Sequence, residues 1–339
     1  MSKDNKMVNI NNSEIDNKSK NNILEILGKW GLLIATILIF VLFSLLEKRF
    51  LTTSNFFNII QQAAITGLLA FGLTVVIVAG EFDLSFPSIA TLTGVVAFIL
   101  SSQRISLLIV IPIAFLLGIF LSSLNYFFIV KVKVPAFIAT LGTMGIFTGI
   151  ARFATGGTTI FPVFTPSFMR FIGRGFVFNI IPTSAVTFVL VAIILVFFID
   201  YFYLGRYFYA VGGNPDAAIH VGINTNKIKF MAYVITGITA AIAGITSVSM
   251  IGAANPEICA SYQLPAISAA FMGGVFLRGG LPNIWGTFIA SFLMAMLANG
   301  FIMLGFPQYV KEIVQGSVLV LAVAATTISR KGKLFNVGM

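Results

Sequence analysis

Few side chains in this sequence are suited to covalent chemistry. It holds one histidine, His220, and one cysteine, Cys259. A disulfide within the chain is impossible, and a Cys/His metal site lacks ligands. A lone buried cysteine reads as a small apolar filler. No nucleophile and orienting acid accompany His220, so an enzyme is not expected. The chain also lacks a Gly-x-x-x-x-Gly-Lys-[Ser/Thr] loop, so it should not itself cradle nucleotide phosphates. What remains are polar groups set singly among apolar runs. Asp83 follows a long run and precedes a short one, where an ionisable residue is a candidate for the path of a solute or ion. It can equally cap the helix beginning near Pro87, with Ser85 as the alternative cap, and a capping or hinge role is favoured. Thr140, Thr143 and Thr148 share a helix with Gly142, Gly145 and Gly149. They either satisfy their hydroxyls within that helix or offer a polar wall to a hydroxylated solute; Asn299 and Gln315 are similar cases. Arg170, Arg174 and Glu257 either meet charged groups of a partner or anchor at lipid headgroups.

The elements that must position these groups follow from composition. Hydrophobic residues make up 58% and charged residues 9% of 339 positions, whereas soluble domains carry about a quarter charged residues. Such a chain cannot cover a water-facing surface, and the fold class expected is an all-α integral membrane protein. A crossing needs about 20 mostly apolar residues. Runs near 30–46, 59–80, 86–101, 105–130, 134–155, 180–199, 228–252, 262–277, 284–304 and 309–328 predict about ten transmembrane helices. The runs 86–101 and 262–277 are short and flanked by Gly, Pro and polar residues, so each is read as a tilted, broken or re-entrant segment. Thr236, Ala240 and Gly244, with Gly237 and Ala241, form rows at helix-contact spacing that predict close helix packing.

The net charge of +10 does not indicate nucleic acid, because the basic residues are scattered singly rather than grouped on one face. They set topology instead. With the N-terminus inside, Lys131, Lys133, Arg206, Lys227, Lys229, Arg278, Arg330, Lys331 and Lys333 are cytoplasmic. Lys48, Arg49, Arg104, Arg152, Arg170, Arg174 and Lys311 then face outside. The bias is modest, and both termini are taken as cytoplasmic. No cleavable signal is expected. Residues 1–29 read as a polar cytoplasmic tail, with a short interfacial helix from Ile23 to Trp30. Residues 30–328 form the transmembrane domain, and 329–339 a C-terminal cytoplasmic tail. Two long connections stand out: 156–180 outside, with Gly156, Gly157, Pro162 and Pro166, and 200–227 on the cytoplasmic side.

The cytoplasmic connection specifies its own helix. Asn214 suits an N-cap, Pro215 the first helical position, and Asp216 the positive helix end. Gly222 suits a left-handed stop. About two turns are predicted, exposed at the membrane face.

Asp216-Ala217-Ala218, three residues and then Gly222 is similar to the Glu-Ala-Ala…Gly loop by which importer permeases dock into their ATPase subunits. Asp stands where Glu is usual, and the distal Ile…Leu-Pro part is absent. Three further stretches occur in order: Gly80-Glu81-Phe82-Asp83-Leu84-Ser85, Val134-Pro135-Ala136-Phe137-Ile138-Ala139-Thr140-Leu141-Gly142-Thr143-Met144, and Ala266-Ile267-Ser268-Ala269-Ala270-Phe271-Met272-Gly273-Gly274. Together they resemble the ribose, xylose, arabinose and galactose permeases of ATP-driven (ABC) importers, a group related more distantly to branched-chain amino-acid permeases. The resemblance spans about residues 55 to 325. Departures include Glu81 for a usual Gly, Tyr262-Gln263-Leu264-Pro265 where Tyr-Glu-Leu-Asp is common, and Arg278-Gly279-Gly280-Leu281-Pro282 in place of an Ala-Gly-Gly-Lys-Gly turn. They bear on the solute rather than the fold.

The resemblance implies a permease subunit of a bacterial cytoplasmic (inner) membrane importer, with a second permease copy or paralogue and ATPase subunits beneath it. It also implies an extracytoplasmic solute-binding protein above. ATP and Mg would sit on the ATPase partners, with no cofactor in this chain. Gly205, Arg206, Gly213, Asn214, Asp216, Ala217, Ala218 and Gly222 would couple to the ATPase. Asp83, Thr140, Thr143 and Asn299 would line the translocation path, and Arg170 and Arg174 would meet the binding protein. The solute would be a sugar or sugar-like molecule moved by alternating access. The rivals are an ion-coupled secondary transporter, which should carry several intramembrane carboxylates, an importer permease for nucleosides or branched-chain amino acids, and, ranked below these, a membrane enzyme.

Overall fold

The structure is a computed structural model that describes residues 30–162, 167–277 and 281–335. The N-terminal tail with its interfacial segment, Pro166 and the Arg278-Gly279-Gly280 turn lie outside the described residues, as does the end of the C-terminal tail. All ten apolar runs fold as helices. In chain order these are α1 (Trp30–Leu46), α2 (Thr53–Val78), α3 (Phe86–Ser102), α4 (Leu107–Tyr126), α5 (Ala136–Thr155), α7 (Thr183–Val196), α10 (Thr225–Ile251), α11 (Gln263–Leu277), α12 (Ile284–Met303) and α13 (Gln308–Phe335). Between them come α6 (Ser167–Arg174), α8 (Tyr203–Gly213) and α9 (Pro215–His220). Wider π-type turns, Phe127–Lys131 and Phe197–Tyr201, extend α4 and α7.

Six of the described helices are long and apolar enough to cross a membrane: α2, α4 and α7 with their extensions, α5, α10 and α12. That count does not confirm the expectation of about ten crossings: α1, α3 and α11 are short, and α13, although 28 residues long, is not among the six. The 17 residues of α3 and 15 of α11 reach only about 25 and 22 Å, below the roughly 30 Å of a hydrocarbon core. The C-terminal tail expected from residue 329 is still helical to Phe335.

Helices α2 and α10 run antiparallel through the centre. Gly72 meets Thr236 and Thr239, while nearer the other end Tyr233 donates to the Phe82 carbonyl. The small-residue rows of α10 do what their spacing predicts. Thr236 donates to the Gly72 carbonyl at 2.9 Å, Gly237 abuts Gly118 of α4, and Gly244 abuts Ala90 of α3. A Cβ at any of these glycines would strike backbone, so close approach requires their absence. Phe188 of α7 stacks between Phe71 and Phe288, with ring centroids 5.3 and 4.6 Å away, and pins α7 to α2 and α12.

The packing repeats. Helix α10 packs on α3 and α4 as α2 packs on α11 and α12, and the pairs α3–α4 and α3–α5 match α11–α12 and α11–α13. The short helices α3 and α11 occupy equivalent places and run in opposite directions. Their N-terminal ends meet where Gln263 reaches the Leu84 carbonyl at 3.4 Å. The far end of α11 packs on Pro282, whose carbonyl accepts from Tyr209 of α8. The connection between α2 and α3 is non-helical and buried at Asp83, Leu84 and Ser85. Irregular backbone at such depth survives only when protein satisfies it.

Candidate functional site

At one end of the bundle, residues 200–227 are not a loop but two helices. α8 packs on the turn that ends α2, where a Cβ on Gly80, at φ 81°, would lie 3.0 Å from the Gly212 Cα. α9 follows, and its caps are those the sequence specified. Asn214 Oδ1 accepts from the Ala217 amide at 3.0 Å, Pro215 opens the helix, and Gly222 has φ 83°. The helix is six residues long, slightly shorter than two turns. Ala218 is buried beneath it, while Asp216, Ala217, Ile219 and Val221 are exposed. Gly205 packs against the Ile199 backbone, whereas Arg206 and Gly213 are exposed. Glu81 and Lys229 form an ion pair at 2.6 Å that ties the α2–α3 connection to the start of α10. Sequence reasoning missed Gly212; the Gly212-Gly213 doublet was the available signal.

Deeper in the bundle, Asp83 joins a closed hydrogen-bond network. The Ser85 amide and hydroxyl both donate to Asp83 Oδ1 at 2.7 Å. Asn125 Nδ2 donates to Ser85 Oγ at 2.7 Å and reaches both Asp83 oxygens at 3.4 Å. Thr143 donates to Asn125 Oδ1 at 2.7 Å. All four residues are buried, and the network clamps α4 and α5 to the α2–α3 connection. Asp83 thus braces the chain before α3 through Ser85, while the N-cap position of α3 itself makes no side-chain cap bond. Asn125 was not foreseen, since a single Asn in an apolar run signals nothing by spacing.

The structure does not assemble all four expected path residues. Thr140 donates to the Ala136 carbonyl of its own helix at 2.8 Å. Asn299 lies toward the other end of the bundle, donating at 2.9 Å to Asn55 near the start of α2. That point is about 35 Å along α2 from its C-terminal end. Asn299 is therefore not part of the group that Asp83 and Thr143 form. Arg174 is also committed elsewhere. Its guanidinium donates to the Met250 and Ile251 carbonyls at 2.7 and 2.6 Å, closing the C-terminus of α10, where cationic donors are favoured. It braces the end of α10 from an exposed position. Arg170 is exposed on α6.

Above the network lies a cavity of about 300 Å³ between α3, α5 and the α10–α11 connection. Its polar lining comes from Ser88, Thr91, Thr148, Gln263, Arg152 and Glu257. Arg152 and Glu257 are ion-paired, with side chains 58% and 56% exposed. Two strand-like hydrogen bonds between Ile160 and Ala254 and a 3.1 Å bond from Asn255 to Thr159 hold the flanking loops together.

An architecture of closely packed helices, with a capped exposed helix at one end and a polar cavity toward the other, can be compared with known proteins. The family model described as branched-chain amino acid transport system / permease component matches residues 55–323. The ribose import permease protein of Escherichia coli K12 is 35% identical over 86% of this chain and 91% of its own length. The ribose import permease protein of Bacillus subtilis 168 is 34% identical over 88% and 92%. The xylose transport system permease protein of Haemophilus influenzae is 30% identical over 88% and 96%. No solved structure is a significant match. On the extent of the family match and of these identities, the chain is a multi-pass membrane protein belonging to the branched-chain amino acid transport system permease family.

Proposed function

We propose that this chain is the membrane-spanning permease subunit of a binding-protein-dependent ATP-driven importer, moving a sugar or sugar-like polar solute inward by alternating access. The observation that carries the reading is α9, a short helix capped at both ends and exposed at one end of the bundle. It is joined through α8 to the turn after α2 and through Glu81–Lys229 to α10. A rigid rod so connected can turn a push from an ATPase subunit into relative motion of the two central helices. Exposed Ile219 and Val221 supply the apolar contact such a partner would bury. Relatives named as ribose and xylose permeases support the solute class.

In this reading the protein sits in the bacterial inner membrane with both termini and α9 cytoplasmic. A second permease copy or paralogue stands beside it, and a solute-binding protein docks at the opposite face. The short helices α3 and α11, with α1 and α13, bring the membrane segments to ten. An ion-coupled carrier is less favoured. Among the described residues Asp83 is enclosed by hydrogen bonds and Glu81 is paired with Lys229, which leaves no chain of free carboxylates for a relay. The test is uptake by the complex reconstituted with its ATPase and binding protein, against a panel of pentoses, hexoses and nucleosides. ATP-dependent sugar uptake is expected; uptake driven by a proton gradient without ATP would refute the proposal. Gly222→Pro and Asp216→Lys should uncouple ATP hydrolysis from uptake in a normally inserted protein, and normal uptake in both would remove α9 from the coupling path.

A further inference from the structure

The cavity beside α3 and α5 has features that packing does not require. Its volume of about 300 Å³ is at the small end of the range for sites that hold small molecules. It opens beside the N-terminal ends of the two short helices, with Ser88 and Thr91 on α3 and Gln263 on α11. Some lining groups are already satisfied: Ser88 donates to the Ser85 carbonyl and Thr91 accepts from the Cys259 amide. Others are not. Among the described residues the Thr148 hydroxyl has no hydrogen bond, and Gln263 uses only its amide nitrogen, toward Leu84 and Met144. The cavity therefore presents a free hydroxyl and a free carboxamide oxygen, with no net charge inside the rim. With the apolar faces of Pro87, Met144, Pro256 and Ala260 beside them, these groups suit a neutral solute that carries hydroxyls rather than an ion.

The rim is different. Arg152 at the end of α5 and Glu257 in the α10–α11 connection pair across it. Both are more than half exposed, and pairs of that kind contribute little in water. This one adds little to the stability of the bundle. Breaking it costs the bundle little, because the Ile160–Ala254 and Asn255–Thr159 bonds still hold the flanking loops together.

We propose that this cavity is a station for a neutral polyhydroxylated solute on its way through the membrane, and that Arg152 and Glu257 form its outer latch. The assignment rests on the transport reading above and adds to it a place within one protomer where the solute is held. Thr148 and Gln263 contact the solute, and Arg152 and Glu257 control access to it.

The test uses the complete complex in proteoliposomes, with radiolabelled D-ribose and D-xylose as probes. In Thr148→Val/Gln263→Leu, uptake at saturating loaded binding protein should fall roughly threefold to tenfold, the effect of losing one or two hydrogen bonds. ATP hydrolysis stimulated by the binding protein should hold, so fewer sugars move per ATP. In Arg152→Glu, efflux of preloaded sugar without ATP should rise severalfold, and Arg152→Glu/Glu257→Arg should return it toward the wild-type value. Uptake and ATP hydrolysis falling together in the first variant would mean a merely structural role and overturn the station. Efflux unaltered by Arg152→Glu, or not restored by the swap, would overturn the latch. If the wild-type complex carries neither sugar nor any other member of the solute panel, the transport reading itself falls and the station with it. If wild type transports and the variants match it, only the cavity assignment falls.

Discussion

Replacing Asn125 with alanine tests whether the Asp83 network holds the α2–α3 connection in place. The substitution removes two hydrogen bonds of 2.7 Å, to Ser85 and from Thr143, and leaves Asp83 Oδ2 without its one partner. Each bond is worth about 1 kcal/mol net, and leaving the buried Oδ2 unsatisfied adds about 1–3 kcal/mol, for a total of about 3–5 kcal/mol. Asp83→Ala should cost less, about 1–3 kcal/mol, because Asn125 keeps Ser85 and Thr143 and only the Ser85 donors lose an acceptor. In the double variant no Asp83 oxygen is left unsatisfied, so the two costs should fall short of their sum by about 2 kcal/mol. The assay is equilibrium unfolding in mixed detergent micelles, followed by loss of helical circular dichroism, as a double-mutant cycle. Additivity within about 0.5 kcal/mol would show that Asn125 and Asp83 do not act together, and the clamp would have to be abandoned.

Other outcomes follow from the same geometry. Gly94→Val should destabilise the bundle by about 1–3 kcal/mol, because a Cβ there would sit 2.6 Å from the Gly244 carbonyl oxygen. Gly145→Val, where nothing lies within 4 Å of the added carbon, should leave the unfolding midpoint of the protomer unchanged. Arg174→Ala should cost about 1–3 kcal/mol by freeing two carbonyls at the end of α10, detected as faster amide exchange around residues 248–254. Arg170→Ala should leave that exchange unaltered. Gly222→Ala, forcing a side chain onto a residue at φ 83°, should weaken the α9 stop by about 1 kcal/mol, seen as increased proteolytic nicking of that connection.

The sequence alone determined whatever depends on local composition or on neighbours along the chain. The deficit of charge placed the chain in a bilayer, and the apolar runs marked ten helical segments. Asn214, Pro215 and Gly222 fixed both limits of α9, because a cap bonds residues two to four positions away. The glycine and alanine rows of α10 announced close packing, because spacing along a helix is spacing on its surface. Tertiary structure decided the rest. Arg174 read as a surface charge until the end of α10, 76 and 77 residues away in sequence, supplied the carbonyls that occupy it. Asn299 read as kin to Thr143 until helix directions put them far apart along the bundle. Asn125 gave no signal, and nothing in the sequence paired Arg152 with Glu257, since their partners come from other elements and sequence spacing carries no distance between them. Nor could length alone tell that α3 and α11 would meet end to end. That meeting exists only once the two antiparallel central helices have packed, and it brings Gln263 of α11 into the cavity beside α3.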